Sequence, residues 1–213
     1  MKTIDFWFDP ISPYAWLAFE RLPQVLEGCS YVVNYRPVLL AGLLRHHAHK
    51  GPAEIEPKRQ WTLRQVQWLA HQSGVQLQAP AVHPFNPLAL LRLALACGPN
   101  RQVVETVFRH VWCAQGADAA DPSRLAALTR QLAPTRDPAS ADVKAELKAE
   151  LQEATATALV RGVFGVPSFE MDGRVFWGLD ALPMLREALL GDPWFDGPNW
   201  AEAGAARPGV QRH

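Results

Sequence analysis

A serine followed by a proline, Ser12-Pro13, stands where an alternating apolar run gives way to an amphipathic one. Ser is a favoured helix N-cap and Pro suits the first helical position, so the pair reads first as an ordinary helix start. The same place can also do chemistry. A hydroxyl there lies among unpaired backbone N–H groups at the positive end of the helix dipole, where an anion or a thiolate is stabilised. No histidine or other base is near Ser12 in sequence, so a Ser-His nucleophile has no support.

Other reactive residue types are less pointed. His46, His47 and His49 form a short run without Cys or carboxylate ligands, and read as a solvated loop rather than a metal site. His110 and Cys113 are one helical turn apart but have no further ligands on that helix. Cys29, Cys97 and Cys113 are three, widely spaced, and form no Cys-x-x-Cys pair. Neither a disulfide framework nor a dithiol redox site follows, and a reducing, cytoplasmic compartment is expected. Trp7 and Trp16 could line an aromatic pocket or simply pack; Trp61, Trp68 and Trp112 read as core or interface residues.

The composition sets limits on partners. The chain has 213 residues, 48% of them apolar, with 21 basic and 21 acidic side chains. A sizeable core is available, and no basic run favours nucleic acid or an anionic membrane surface. No apolar stretch approaches the about 18 residues that a membrane span needs, and the N-terminus carries no signal-peptide pattern.

The elements that must position Ser12 follow from periodicity. Ile4, Phe6 and Phe8 alternate as a strand; Pro13 to Leu26 is a helix that carries Pro23 and stops near Gly28; Tyr31 to Arg36 is a second strand ended by Pro37. That is a parallel, right-handed crossover unit. Residues 51–133 contain no convincing strand. Helices are expected over Glu56–Ser73, Leu88–Cys97 and Arg101–Ala114, and from the Asp121-Pro122 start to about Leu132. A long helix spans Ser140–Arg161, with Ser140 as its cap. Then come Gly165-Val166-Pro167, a hairpin turning at Asp172-Gly173, a returning strand Arg174–Trp177, and a final helix that Asp180 could cap, ending at Leu190. The order is that of an α/β thioredoxin-like fold interrupted by an all-helical insertion. Residues 1–45 and 140–195 would form the discontinuous thioredoxin-like domain, 46–139 the inserted helical domain, and 196–213 an irregular tail.

Three stretches together carry a family resemblance: Asp5-Phe6-Trp7-Phe8-Asp9-Pro10-Ile11-Ser12-Pro13-Tyr14-Ala15-Trp16, Phe164-Gly165-Val166-Pro167-Ser168-Phe169, and Phe176-Trp177-Gly178-Leu179-Asp180. The pattern resembles the 2-hydroxychromene-2-carboxylate isomerases and the related kappa-class glutathione transferases of the DsbA-like superfamily, over nearly the whole chain to about Leu190. The resemblance implies a DsbA-like fold, with Ser12 where dithiol relatives carry their first Cys and Val166-Pro167 as a cis-proline loop facing it. It further implies a glutathione-dependent cis-trans isomerase, in which Ser12 donates to the glutathione sulfur and so favours the nucleophilic thiolate.

Other positions follow by the same resemblance. Val166 and Pro167 would pair with the glutathione backbone, and Leu179 and Asp180 would read its γ-glutamyl end. This chain departs from the family at Leu179, where a polar amide is common and only backbone contacts would survive, and at Ala181, where an Arg is common. Asp180 is equally a plain helix cap. Asn86 is placed to meet the substrate but also suits a turn before Pro87. Lys58 and Arg59 could meet the carboxylate of an aromatic keto-acid, or lie on a solvated helix face. Family members often dimerise. A kappa-like transferase or peroxidase is the alternative reading; a dithiol oxidoreductase is disfavoured because Ser12 and Ala15 stand where Cys is needed. A binding module that has lost catalysis is the remaining one, kept open by Leu179 and Ala181.

Overall fold

The computed structural model describes residues 1–205. The strands are β1 (Lys2–Phe8), β2 (Tyr31–Pro37), β3 (Ser168–Met171) and β4 (Arg174–Trp177). The helices are α1 (Pro13–Val25), α2 (Leu40–His46), α3 (Glu56–Ser73), α4 (Leu88–Cys97), α5 (Arg101–Trp112), α6 (Pro122–Leu132), α7 (Ala141–Val160), α8 (Leu182–Leu190) and α9 (Pro198–Ala203). Short 3-10 turns occupy Pro52–Glu54, Leu179–Ala181 and Pro193–Asp196. The strands form one sheet in the order β2-β1-β3-β4. β1 runs parallel to β2 and antiparallel to β3, and β3 pairs antiparallel with β4. Parallel β1 and β2 joined through α1 are the crossover expected from the sequence. The hairpin turn falls on Asp172 and Gly173, both at positive φ.

Strand alternation sends the side chains of β1 to opposite faces. Ile4, Phe6 and Phe8 enter the main core, where Phe6 stacks on Phe169 at 4.9 Å. Trp7 enters a second cluster on the other face, with Val38, Leu43, Ala158, Val163 and Val166. Phe108 of α5 joins sheet to helices, lying 5.4 Å from Phe8, 5.8 Å from Trp16 and 5.5 Å from Phe19. It is fully buried, so truncation to Ala would cost about 3–5 kcal/mol. Trp16 is fully buried and donates Nε1–H to Gln76 O at 2.9 Å, and Trp7 is 2% exposed. Both are packing residues, which decides against their lining a pocket. α7 spans two clusters: Leu147 and Leu151 pack with Leu91 and Leu95 of α4, and Ala158 packs near Trp7.

Three details differ from the sequence expectation. Leu40–His46 is helical, so His46 ends a helix rather than sitting in a loop. Asp180 does not cap the last helix: it lies in the 3-10 turn Leu179–Ala181, and Ala181 takes the cap position with no side-chain bond. Pro198–Ala203 is helical inside the stretch expected to be irregular, because Trp200 has Phe195 at 5.4 Å and Phe176 at 6.0 Å to pack on. The rest of that stretch, 206–213, lies outside the described residues. No described helix is long and apolar enough to cross a membrane.

Candidate active site

Ser12 is the N-cap of α1, with Pro13 at the first helical position. Its backbone is extended (φ −87°, ψ 117°), and its Oγ accepts from Ala15 N at 3.3 Å, at the long end of the range for such a bond. Among the described residues nothing accepts the Ser12 hydroxyl proton. The residue is 6% exposed. The hydroxyl thus caps weakly and retains a donor at the positive end of α1.

The loop leading to Ser12 is braced from several directions. Asp9 is fully buried, accepting from Ile11 N at 3.0 Å and from Leu40 N, at the start of α2, at 2.9 Å. Burial pushes its carboxyl up to about 7, against the two amide bonds, which pull it down. Ser12 N donates to Asp9 O at 3.0 Å. Trp112 Nε1 donates to Pro10 O at 2.9 Å, and His83 Nε2 lies 2.9 Å from Ile11 O. Asp9, His83 and Trp112 were not singled out as site residues from the sequence. The Asp9-Pro10 pair before the cap was the only local signal for any of them.

The Val166-Pro167 loop arrives at the same end of the sheet. Trp7 near the end of β1 pairs with Ser168 at the start of β3, so Pro167 and the residues after Phe8 leave the sheet side by side. The Val166–Pro167 peptide is cis. Val166 has no backbone hydrogen bond among the described residues, whereas Pro167 O accepts from Gly178 N at 2.9 Å. That bond ties the loop to the turn holding Leu179 and Asp180. Leu179 buries its side chain in the main core and can offer only backbone outward. Asp180 is exposed, with no hydrogen-bond or ion-pair partner among the described residues. Its carboxylate folds back over Gly178, 2.4 Å from where a Cβ would stand, and the φ of +101° there, which L side chains rarely adopt, favours glycine. Phe164 and Trp177, both exposed, meet at 4.9 Å beside this loop.

α3 supplies a third wall. Tyr14 donates its hydroxyl to Gln65 Oε1 at 2.6 Å, and burial raises the Tyr14 phenol, with the Asp180 charge as a smaller contribution in the same direction. Tyr14 therefore lies between α3 and the Asp180 turn. Arg59 is half-buried, without a carboxylate partner among the described residues, and its charge acts on His83. Lys58 is exposed. Asn86 is exposed and spends its Oδ1 on Leu88 N at 3.1 Å, the local turn bond. Ser12, Tyr14, Val166, Pro167 and Asp180 thus gather around one end of the sheet, with Arg59 beside the His83 edge. A cavity of about 660 Å³ opens elsewhere, among Leu22, Tyr31, Tyr35 and Arg101. Leu22 is roughly 15 Å along α1 from Ser12, so that cavity is a different place.

Comparison with known proteins bears on the fold and the family. Residues 3–190 match the model of the DSBA-like thioredoxin domain. The chain is 30% identical over 195 residues to a 2-hydroxychromene-2-carboxylate isomerase of Sphingobium xenophagum, covering 89% of this chain and 98% of that one. It is 25% identical over 210 residues to glutathione S-transferase kappa 1 of Rattus norvegicus, covering 91% and 92%. A solved 2-hydroxychromene-2-carboxylate isomerase structure superimposes with a TM-score of 0.75 at 24% identity, over 95% of this chain and all of that one.

Proposed function

The chain belongs to the DSBA-like thioredoxin domain family, and from that premise we propose that it is a glutathione-dependent cis-trans isomerase. Its substrates would be 2-hydroxychromene-2-carboxylate-like compounds and the corresponding trans-o-hydroxybenzylidenepyruvate-like keto-acids. The observation that carries this reading is the Ser12 hydroxyl, nearly buried at the N-terminus of α1 with its proton unspent. The donor set fits a γ-glutamyl tripeptide thiol. Ser12 Oγ–H would meet the sulfur, the Val166 backbone, unpaired among the described residues, suits a peptide edge, and the Asp180 carboxylate, likewise without a partner there, suits an ammonium.

When bound, glutathione supplies a thiolate that adds reversibly to a conjugated carbon, so that the former double bond can rotate. Ser12 donates to the sulfur and, with the helix dipole, favours its ionised form. Tyr14 and Gln65 hold α3 against the start of α1. Arg59 provides the carboxylate anchor; Lys58, being exposed, and Asn86, being spent on Leu88, contribute less. The test is optical: replacing Ser12 with Ala lowers the isomerisation rate about 100-fold, as expected for losing one donor at a developing anion. Full activity in that variant, or without added glutathione, overturns the reading.

A kappa-class-like transferase or peroxidase is the second reading, favoured by the similarity to the rat kappa enzyme. It needs the same thiolate, and stoichiometric loss of glutathione into product identifies it. We further propose a cytoplasmic homodimer, with residues 46–139 as the inserted helical unit. Sedimentation tests the dimer.

A further inference from the structure

His83 reaches the Ser12 loop from 72 residues away, and Trp112 from 102. The His83 ring lies against Trp112 at 5.6 Å and Phe85 at 6.4 Å, with Nε2 2.9 Å from Ile11 O. A carbonyl oxygen can only accept, so the bond requires the proton on Nε2. That leaves Nδ1 as a bare lone pair, and Nδ1 is buried without a partner among the described residues. Burial holds the ring neutral, with Arg59 acting in the same direction and the Ile11 bond opposing. The orphaned nitrogen is a cost to the fold, which the ring bears here as Trp7 Nε1 and Arg92 Nε do elsewhere. What the imidazole supplies in return is its bond to Ile11.

That bond falls on a single rigid unit. The Ile11 carbonyl and the Ser12 N–H share one peptide plane. Ser12 N–H is held by Asp9 O at 3.0 Å, and the carbonyl end by His83. With both ends pinned, the plane sets the backbone from which Ser12 Oγ projects. We propose that His83, as the neutral Nε2–H tautomer, is a positioning residue that holds the Ile11–Ser12 peptide so that the Ser12 hydroxyl faces the bound thiol. The proposal rests on the reading of Ser12 as the thiolate's donor.

The experiment follows the ultraviolet thiolate absorbance of enzyme-bound glutathione against pH, alongside calorimetric affinity for S-methylglutathione, which has no thiol to ionise. His83→Phe keeps a ring and removes the donor; His83→Gln restores an amide N–H. The expected result is a rise of about one pH unit in the bound thiol's titration for His83→Phe, a tenfold smaller thiolate fraction, with most of it recovered in His83→Gln. S-Methylglutathione affinity stays within about twofold, since it does not sense the thiolate bond. An unshifted titration in folded His83→Phe, or no recovery in His83→Gln, overturns the proposal. The parent reading fails separately, if Ser12→Ala titrates like the wild type. Nitrogen-15 histidine spectra of the wild-type protein give a readout independent of any variant. A neutral Nε2–H ring at His83 near pH 7 is expected, and an Nδ1–H tautomer or a charged ring overturns the proposal.

Discussion

The two loops that meet at the end of the sheet are held in opposite ways. On the Ser12 side, the Asp9 carboxylate, the Pro10 and Ile11 carbonyls and the Ile11 and Ser12 N–H groups are all taken, by one another, by α2, and by His83 and Trp112, and the Ser12 hydroxyl proton alone is left over among the described residues. On the Val166–Asp180 side, Ser168 Oγ donates to Gly165 O within the loop, and a backbone bond from Gly178 to Pro167 ties the loop to the Asp180 turn. Among the described residues Val166, itself buried, makes no backbone bond and Asp180 has no partner, while Asp180, Phe164 and Trp177 are exposed. A buried loop must satisfy its polar groups internally, because unpaired ones cost about 1–3 kcal/mol each. An exposed rim can leave its groups to water or to a ligand. On the proposed function, the contrast would give a rigid place for the reacting sulfur and an open edge at Asp180 for reading the rest of its carrier.

The sharpest way to break this contrast is through Asp9. Its folded value of about 7 lies above the unfolded 3.8, so the folded state binds the proton more tightly. Its contribution to stability is complete below about pH 4 and is lost as pH rises through 7. Between pH 5 and 8 the wild type should therefore lose about 2–3 kcal/mol that Asp9→Asn does not lose. Urea unfolding at the two pH values measures this, and equal slopes would mean that the brace is not titrating.

Trp112→Phe comes next. It leaves Pro10 O without its donor in a buried setting, with an expected loss of about 2 kcal/mol in the same unfolding assay. A neutral result would show that water replaces the indole and that the brace is looser than its geometry implies.

On the open side, Asp180→Asn should leave stability within about 0.5 kcal/mol, as for other exposed sites. It should weaken glutathione binding about tenfold, by removing a charge-assisted bond to an ammonium. A large stability loss instead would place Asp180 with the braced side. The smallest effect concerns α3: Arg59→Ala raises the KM for the keto-acid about fivefold, whereas Lys58→Ala stays within the about twofold scatter expected of an exposed charge. Equal effects would mean that half-burial and the missing partner of Arg59 carry no meaning.

Much of the framework was legible because its signals are local. The β1 alternation, the Asp121-Pro122 start, the Gly98 stop and the Asp172-Gly173 turn each depend on neighbouring residues, and the structure has them in place. α2 was not legible. Its seven residues lack a local cap, and its first N–H groups are taken by Thr155 and Asp9, which lie far along the chain. The short helix near Trp200 was missed for the same reason, since it exists by packing on Phe195 and Phe176.

The site divides along the same line. Ser12 could be found from the sequence because a hydroxyl before Pro13 and an amphipathic run is a cap whatever surrounds it. The pairing of Ser12 with Val166-Pro167 came from resemblance, and the register of Trp7 with Ser168 supplies its geometric basis. The sequence by itself determined where α1 begins and that a hydroxyl stands there with donors around it. Only the tertiary structure decided that Asp9 is buried enough to hold a proton near neutral pH, and that His83 and Trp112 grip the peptides before Ser12. Burial and long-range hydrogen bonds are properties of the assembled core, and no window of neighbouring residues contains them.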